Sequence, residues 1–260
     1  MEITGQPRIA NRLKVVLYSL YKNGKGENLL FVGPSGYGKT KLALQTAYYM
    51  ANGMNFSYNI VNEGENIEPI FYGKEKVHIL DEIHLMKETE ILYPYMDLRS
   101  KILIFCSNIA GKLPEAFINR CVIFHFDEYS LPDLMKIALQ SLEFELEEDK
   151  LIRLVEASGR NPRILLDGLV KQLNMVNESQ PELLDDFDSL LLNLFGINEN
   201  NLTEECIRYL TMLENVGGKC SLTRLSALLH LDQRYIETSI EPILLSRKFI
   251  KIGARGREKV

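Results

Sequence analysis

Asn28-Leu29-Leu30-Phe31-Val32 followed by Gly33-Pro34-Ser35-Gly36-Tyr37-Gly38-Lys39-Thr40 decides how this chain folds. Gly33 to Thr40 meets the pattern G-x-x-x-x-G-K-[ST] at every fixed position. The largely apolar run before it reads as a buried strand, and Lys41 to Met50 after it reads as a helix. Strand, glycine loop and helix, in that order, suit a phosphate cradle. Glycines let backbone N–H groups turn toward a polyphosphate without a Cβ clash. The helix N-terminus adds partial positive charge at the same place. On this reading Gly33, Pro34, Ser35, Gly36, Tyr37 and Gly38 line the cradle. Lys39 would meet the β- and γ-phosphates, and Thr40 would hold Mg²⁺. A chance glycine turn carrying Lys and Thr would leave both flanks unexplained.

The rest of the first half alternates strands with helices. Arg8 to Tyr21 has Leu13, Val16, Leu17 and Leu20 at helical spacing. Val77-His78-Ile79-Leu80, Lys101 to Cys106 and Val122 to Phe126 read as further strands. Strands separated by helices imply an α/β parallel sheet covered on both faces. From Asp127 the pattern becomes helical: Pro132 to Leu142, Asp149 to Ala157, Arg163 to Asn174 and Leu183 to Phe195. Asn161 suits a cap and Pro162 a first turn. After Gly196 come short helices at Thr203 to Leu213, Ser221 to Leu229 and Asp232 to Leu245. A strand at Phe249 to Ile252 and an Arg/Gly tip follow, the pattern of a winged helix. The expected division is a large phosphate-loop domain at 1–126, a small all-helical domain at 127–196 and a winged helix at 197–260.

Composition limits the function classes. At 46% hydrophobic and 25% charged residues this is an ordinary globular chain. No apolar run approaches the roughly 20 residues that span a bilayer. The N-terminus has no basic and apolar leader, so the expected location is cytoplasmic, away from any membrane. Cys106, Cys121, Cys206 and Cys220 lack C-x-x-C spacing, which suggests free thiols. Net charge is −5, yet the tail is basic, with Arg247, Lys248, Lys251, Arg255, Arg257 and Lys259. Contact with phosphate backbone should therefore be local to that end, through Arg255 and Arg257.

Further residues complete a phosphoryl-transfer set. Asp81-Glu82 closes an apolar strand, as the partner of a phosphate loop does. Asp81 would help place Mg²⁺ through water, and Glu82 would polarise the attacking water. This requires their strand to lie next to the loop strand. Asn108, at the end of another strand, could orient the water. Arg120 could reach a neighbouring subunit's γ-phosphate as an arginine finger, and Arg163 could close over the phosphates. His78, His84 and His125 read as structural, and no metal cluster beyond the implied Mg²⁺ is visible.

With these residues in place the chain resembles the AAA+ ATPases, and more narrowly the RuvB-like branch-migration motors. Thr4-Gly5-Gln6 is similar to that family's GQ element, and Leu80-Asp81-Glu82-Ile83-His84 to its acidic strand end. Ser107-Asn108 falls at sensor 1 and Asn161-Pro162-Arg163-Ile164 at sensor 2. Glu241-Pro242-Ile243-Leu244 and Arg255-Gly256-Arg257 match the winged-helix end. The resemblance implies ATP and Mg²⁺ as cofactors, a homo-oligomeric ring or spiral of hexameric type, and DNA held by the winged helix. Departures are visible too. Met96 to Lys101 runs almost straight into Ile102, where the family has a β-hairpin that docks its partner RuvA, so a RuvA-type partner is not expected. Asn119-Arg120-Cys121 is similar to the clamp-loader motif. The leading expectation is an ATP-hydrolysing motor that moves or remodels DNA. A clamp-loader-like or helicase-loader-like ATP switch stays open beside it, as does a protein-remodelling role.

Overall fold

The computed structural model describes residues 4–51, 56–61, 72, 74–253 and 256–260. The chain divides into two compact units, Met1–Glu128 and Tyr129–Val260.

In the first unit, α1 (Pro7–Asn23) buries Ile9, Leu13, Leu17 and Leu20 along one stripe. It stops at Gly24, whose left-handed φ of 64° lets its N–H bond the Leu20 carbonyl. Then come β1 (Asn28–Val32), α2 (Lys39–Met50), β2 (Ser57–Ile60), β3 (Val77–Asp81), α3 (Tyr93–Leu98), β4 (Ile102–Ser107), α4 (Glu115–Ile118) and β5 (Val122–His125). The sheet is parallel, in the order β2-β3-β4-β1-β5. β1, β3 and β4 are buried at every position, as strands covered on both faces should be. Alternate residues feed two cores. Leu29, Phe31, Ile79, Ile104 and Phe124 pack with α1 and α2. Leu30, Leu80, Leu103 and Phe105 pack with Met96 of α3 and Phe117 of α4. Each such side chain contributes about 1.5–3 kcal/mol by leaving water.

One expectation is corrected here. β3 is not the neighbour of the loop strand β1, because β4 runs between them. The acidic strand end therefore faces the phosphate loop across the end of β4. The step from α3 to β4 takes only Arg99 to Lys101. Arg99 turns the chain at a φ of 46°, and its carbonyl accepts from Gly26 N–H at 2.6 Å.

In the second unit, helices α5 (Leu131–Leu139), α6 (Glu148–Ala157), α7 (Lys171–Ser179) and α8 (Phe187–Phe195) come first. A π-helical turn, Ile164–Val170, leads into α7. Side chains cap where expected: Asn161 Oδ1 accepts from Arg163 N–H at 3.0 Å. The remainder is α9 (Glu204–Asn215), β6 (Lys219–Cys220), α10 (Leu222–Leu229), α11 (Gln233–Tyr235), α12 (Glu241–Ser246), β7 (Ile250–Gly253) and β8 (Gly256–Lys259). Thr203, Ser221 and Asp232 accept from first-turn N–H groups of α9, α10 and α11. The three strands form an antiparallel sheet, β6-β8-β7. Tyr209, Leu213, Leu225, Ile236, Ile243 and Ile250 fill the core beneath it.

Arg257 corrects a second expectation. It is not a solvent-facing wing contact. Its guanidinium donates to Glu241 at 2.7 and 3.1 Å and to Glu237 at 3.1 Å, with the side chain 13% exposed. Glu241 is 2% exposed and also accepts from the Tyr209 hydroxyl at 2.9 Å. These carboxylate bonds raise the Arg257 pKa, while burial and Glu241 raise that of Tyr209. Arg255 lies outside the described residues. Two lysines of the basic tail are paired at the surface, Lys251 with Glu258, which Lys219 also meets, and Lys259 with Glu214.

Candidate nucleotide site

The loop from Gly33 to Gly38 leaves the end of β1 and enters α2 directly. Gly33 is required by closeness: a Cβ there would lie 2.7 Å from the Cβ of Phe126. Gly36 and Gly38 turn at φ 84° and 85°, a region that L side chains resist. Gly38, the N-cap of α2, has no side chain to cap it, and the first turn of α2 opens onto the loop. Lys39 is 6% exposed, and its ammonium donates to the Gly33 and Pro34 carbonyls at 2.7 Å each. This arrangement fits a polyphosphate, with cationic and amide donors converging on one concave turn.

Asp81, 7% exposed at the end of β3, is held by three donors. Thr40 Oγ1 reaches its Oδ2 at 2.7 Å and Tyr58 Oη the same oxygen at 3.2 Å. The Glu82 backbone N–H reaches Oδ1 at 3.0 Å. Burial, with the Asp81 carboxylate alongside, pushes the Tyr58 hydroxyl up to about 12, so it stays a donor. A hydroxyl and a carboxylate side by side are hard oxygen groups suited to Mg²⁺.

Glu82 follows in the left-handed region, φ 57° and ψ 34°. A non-glycine residue there carries about 1 kcal/mol of strain, and such strain gathers at functional sites. Asn108, just past β4, donates to the two Glu82 oxygens at 3.4 and 3.2 Å. His84 Nε2 lies 3.3 Å from Glu82 Oε2. The middle strand thus carries the amide that fixes the neighbouring strand's carboxylate, which the strand order makes possible. Cys106, buried within β4, has its thiol raised by burial and is no nucleophile.

Arg120 stands apart from this cluster. Its guanidinium pairs with Asp97 at 2.9 and 3.3 Å, donates to the Ala116 carbonyl at 2.8 Å and lies 4.4 Å from the Tyr93 ring centroid. The buried Asn28 amide ties the Arg120 and Met96 carbonyls to the start of β1, at 3.0 and 3.1 Å. Arg163, exposed, immediately precedes the π-helical run of the second unit. Sequence reasoning missed Tyr58, Asp97 and the contact of His84 with Glu82. No local pattern marks them, because each acts through a partner distant in sequence or across a turn.

Comparison with known proteins follows the same outline. Residues 1–113 match the Holliday junction DNA helicase RuvB P-loop domain, and residues 199–259 the RuvB C-terminal winged helix domain. The Holliday junction branch migration complex subunit RuvB of a Nitratiruptor species is 29% identical over 98% of this chain and 86% of the relative. Its namesake in Ureaplasma parvum serovar 3 is 27% identical over 99% of this chain and 91% of the relative. Among solved structures, a point mutant of Thermotoga maritima RuvB superposes with a TM-score of 0.85 at 21% identity, over 100% of this chain and 94% of that one. The Thermotoga maritima RuvB Holliday junction branch migration motor does so at 0.83 and 22%, over 99% and 92%. Phosphate loop, acidic strand end, parallel sheet and winged helix define an AAA+ ATPase, a nucleotide-binding enzyme that hydrolyses ATP. The chain belongs to the RuvB-like branch of that class.

The Nitratiruptor alignment spans 289 positions against 260 residues here, so the relative carries residues with no counterpart in this chain. The short α3–β4 link does not, however, exclude a RuvA-type partner. The curated relatives are named as subunits of a Holliday junction branch migration complex, which counts against the expectation that such a partner is missing. Among the described residues, no helix is long and apolar enough to cross a membrane.

Proposed function

We propose that this chain is a cytoplasmic, ATP-driven motor that moves branched DNA, assembled as a hexameric ring or spiral. The observation that carries it is Glu82, held in a strained backbone by Asn108 at 3.2 Å and His84 at 3.3 Å, one residue from the Asp81–Thr40 pair. Family membership supports the DNA side of the reading, since both relatives are named for Holliday junction branch migration.

In this reading Gly33 to Gly38 bind the triphosphate through backbone N–H groups, and Lys39 turns from the loop carbonyls to the β- and γ-phosphates. Thr40 would hold Mg²⁺ and Asp81 would help place it through water, and the metal would supply charge neutralisation. Glu82 takes the proton of the attacking water while Asn108 fixes its orientation. Arg120 completes a neighbour's site, which requires its exchange from Asp97 to a γ-phosphate. That exchange is feasible because an ion pair with the side chains 32% and 59% exposed contributes little. Arg163 closes over the phosphates as sensor 2. Residues 1–126 act as the ATPase domain, 127–196 as the lid and 197–260 as the winged helix. Surface lysines such as Lys219 and Lys251, whose ion pairs are weak, can be released to phosphates, whereas Arg257 cannot.

The test is migration of a synthetic four-way junction, with ATP and with a non-hydrolysable analogue. Strand exchange with ATP alone is expected. DNA-stimulated hydrolysis without any branch movement would replace the motor with an ATP switch that loads another protein.

A further inference from the structure

We propose that Tyr58 is a positioning residue of the metal–triphosphate site, its hydroxyl fixing the Asp81 carboxylate that holds the Mg²⁺ hydration shell. The inference rests on the assignment of Thr40 and Asp81 to Mg²⁺ given above. β2 pairs with β3 in parallel, Tyr58 opposite Ile79 and Ile60 opposite Asp81. Residues two apart on a strand share a face, so Tyr58 starts on the Asp81 side, about 7 Å upstream. A phenol spans that gap, and the hydroxyl arrives 3.2 Å from Asp81 Oδ2. An aliphatic side chain at this position would fall short.

An ionised carboxylate offers about four lone-pair directions. Thr40 and Tyr58 take two on Oδ2, and the Glu82 N–H takes one on Oδ1. One direction is left for a further donor, the number needed for a single metal-bound water. Without the phenol, Thr40 alone would anchor Oδ2, and the carboxylate could rotate away from the metal. Tyr58 lies on the edge strand and is 38% exposed. Its ring is therefore not a core element, and losing the hydroxyl alone should spare the fold. Nothing in the phosphate-loop pattern asks for a tyrosine here, so the feature belongs to this chain's β2.

The full-length Tyr58→Phe variant tests this through equilibrium binding of a fluorescent ATP analogue, titrated with Mg²⁺ and repeated in EDTA. Residues that orient metal ligands typically tune metal affinity by 10–100-fold. The Mg²⁺ concentration for half-maximal enhancement should rise about tenfold, the low end for a partly exposed donor, with binding in EDTA unchanged. A parental Mg²⁺ titration overturns the proposal, as does equal weakening in Mg²⁺ and EDTA, which would signal packing. Asp81→Asn, measured in parallel, separates the causes. If it loses the Mg²⁺ response while Tyr58→Phe keeps it, only the role of Tyr58 falls. If it titrates like the parent, the metal assignment falls and Tyr58 with it.

Discussion

Glu82→Gln is expected to lower kcat for ATP hydrolysis by about 10²–10³-fold, while affinity for Mg²⁺–ATP changes by no more than about twofold. Glutamine keeps the shape and can still face Asn108 and His84, so the left-handed turn after β3 should persist. What it cannot do is accept a proton from water. Positioned general bases contribute about 10²–10⁴-fold, which sets the size of the loss. Single-turnover ATPase and equilibrium nucleotide binding on the same preparation separate the two quantities. A variant that hydrolyses at the parental rate would remove Glu82 from the chemistry. Asn108→Ala should cost less, since it loosens the carboxylate without removing it.

Arg257→Ala should unfold the C-terminal sheet rather than only weaken DNA binding. The substitution strands Glu241, 2% exposed, without its cationic partner. Removing one member of a buried ion pair costs about 3–5 kcal/mol, because the other charge stays in low dielectric. The unit Tyr129–Val260 lies between the sizes for which each kcal/mol shifts Tm by about 2–4 °C and by about 4–8 °C, so a fall on the order of 10 °C is expected in calorimetry. Arg257→Met combined with Glu241→Leu should recover most of that loss, since apolar replacement of a whole buried pair is often neutral. A stable Arg257→Ala protein with weakened DNA affinity alone would restore the wing-contact reading that the geometry opposes.

These two residues show where the sequence was readable. The phosphate loop was legible because its chemistry is written in consecutive residues, and Asp81-Glu82 because an apolar strand ends in acids. β1 runs over Asn28–Val32, the residues its apolar run marked. Strand order was not legible: whether β4 slips between β1 and β3 depends on pairing across long loops, not on any local pattern. β2 was missed because Ser57-Tyr58-Asn59-Ile60 is a half-exposed edge strand with mixed polarity. Tyr58 was lost with it. Arg257 was misread because composition counts cations without saying which carboxylate each will meet, and Glu241 lies sixteen positions away. The cap at Asn161 was local and came out where the sequence placed it, while Ser221 and Asp232, read as the first residues of their helices, serve as the caps just outside them.

Cleavage of ATP between protomers, with Glu82 from one and Arg120 from the next, is the central requirement. Glu82→Gln and Arg120→Ala proteins should each be inactive alone. Mixed in equal amounts, random assembly gives about a quarter of the interfaces both intact groups, so ATPase should return to that order of the parental rate. An Arg120→Ala protein that hydrolyses ATP at the parental rate, or a mixture that recovers nothing, would contradict it.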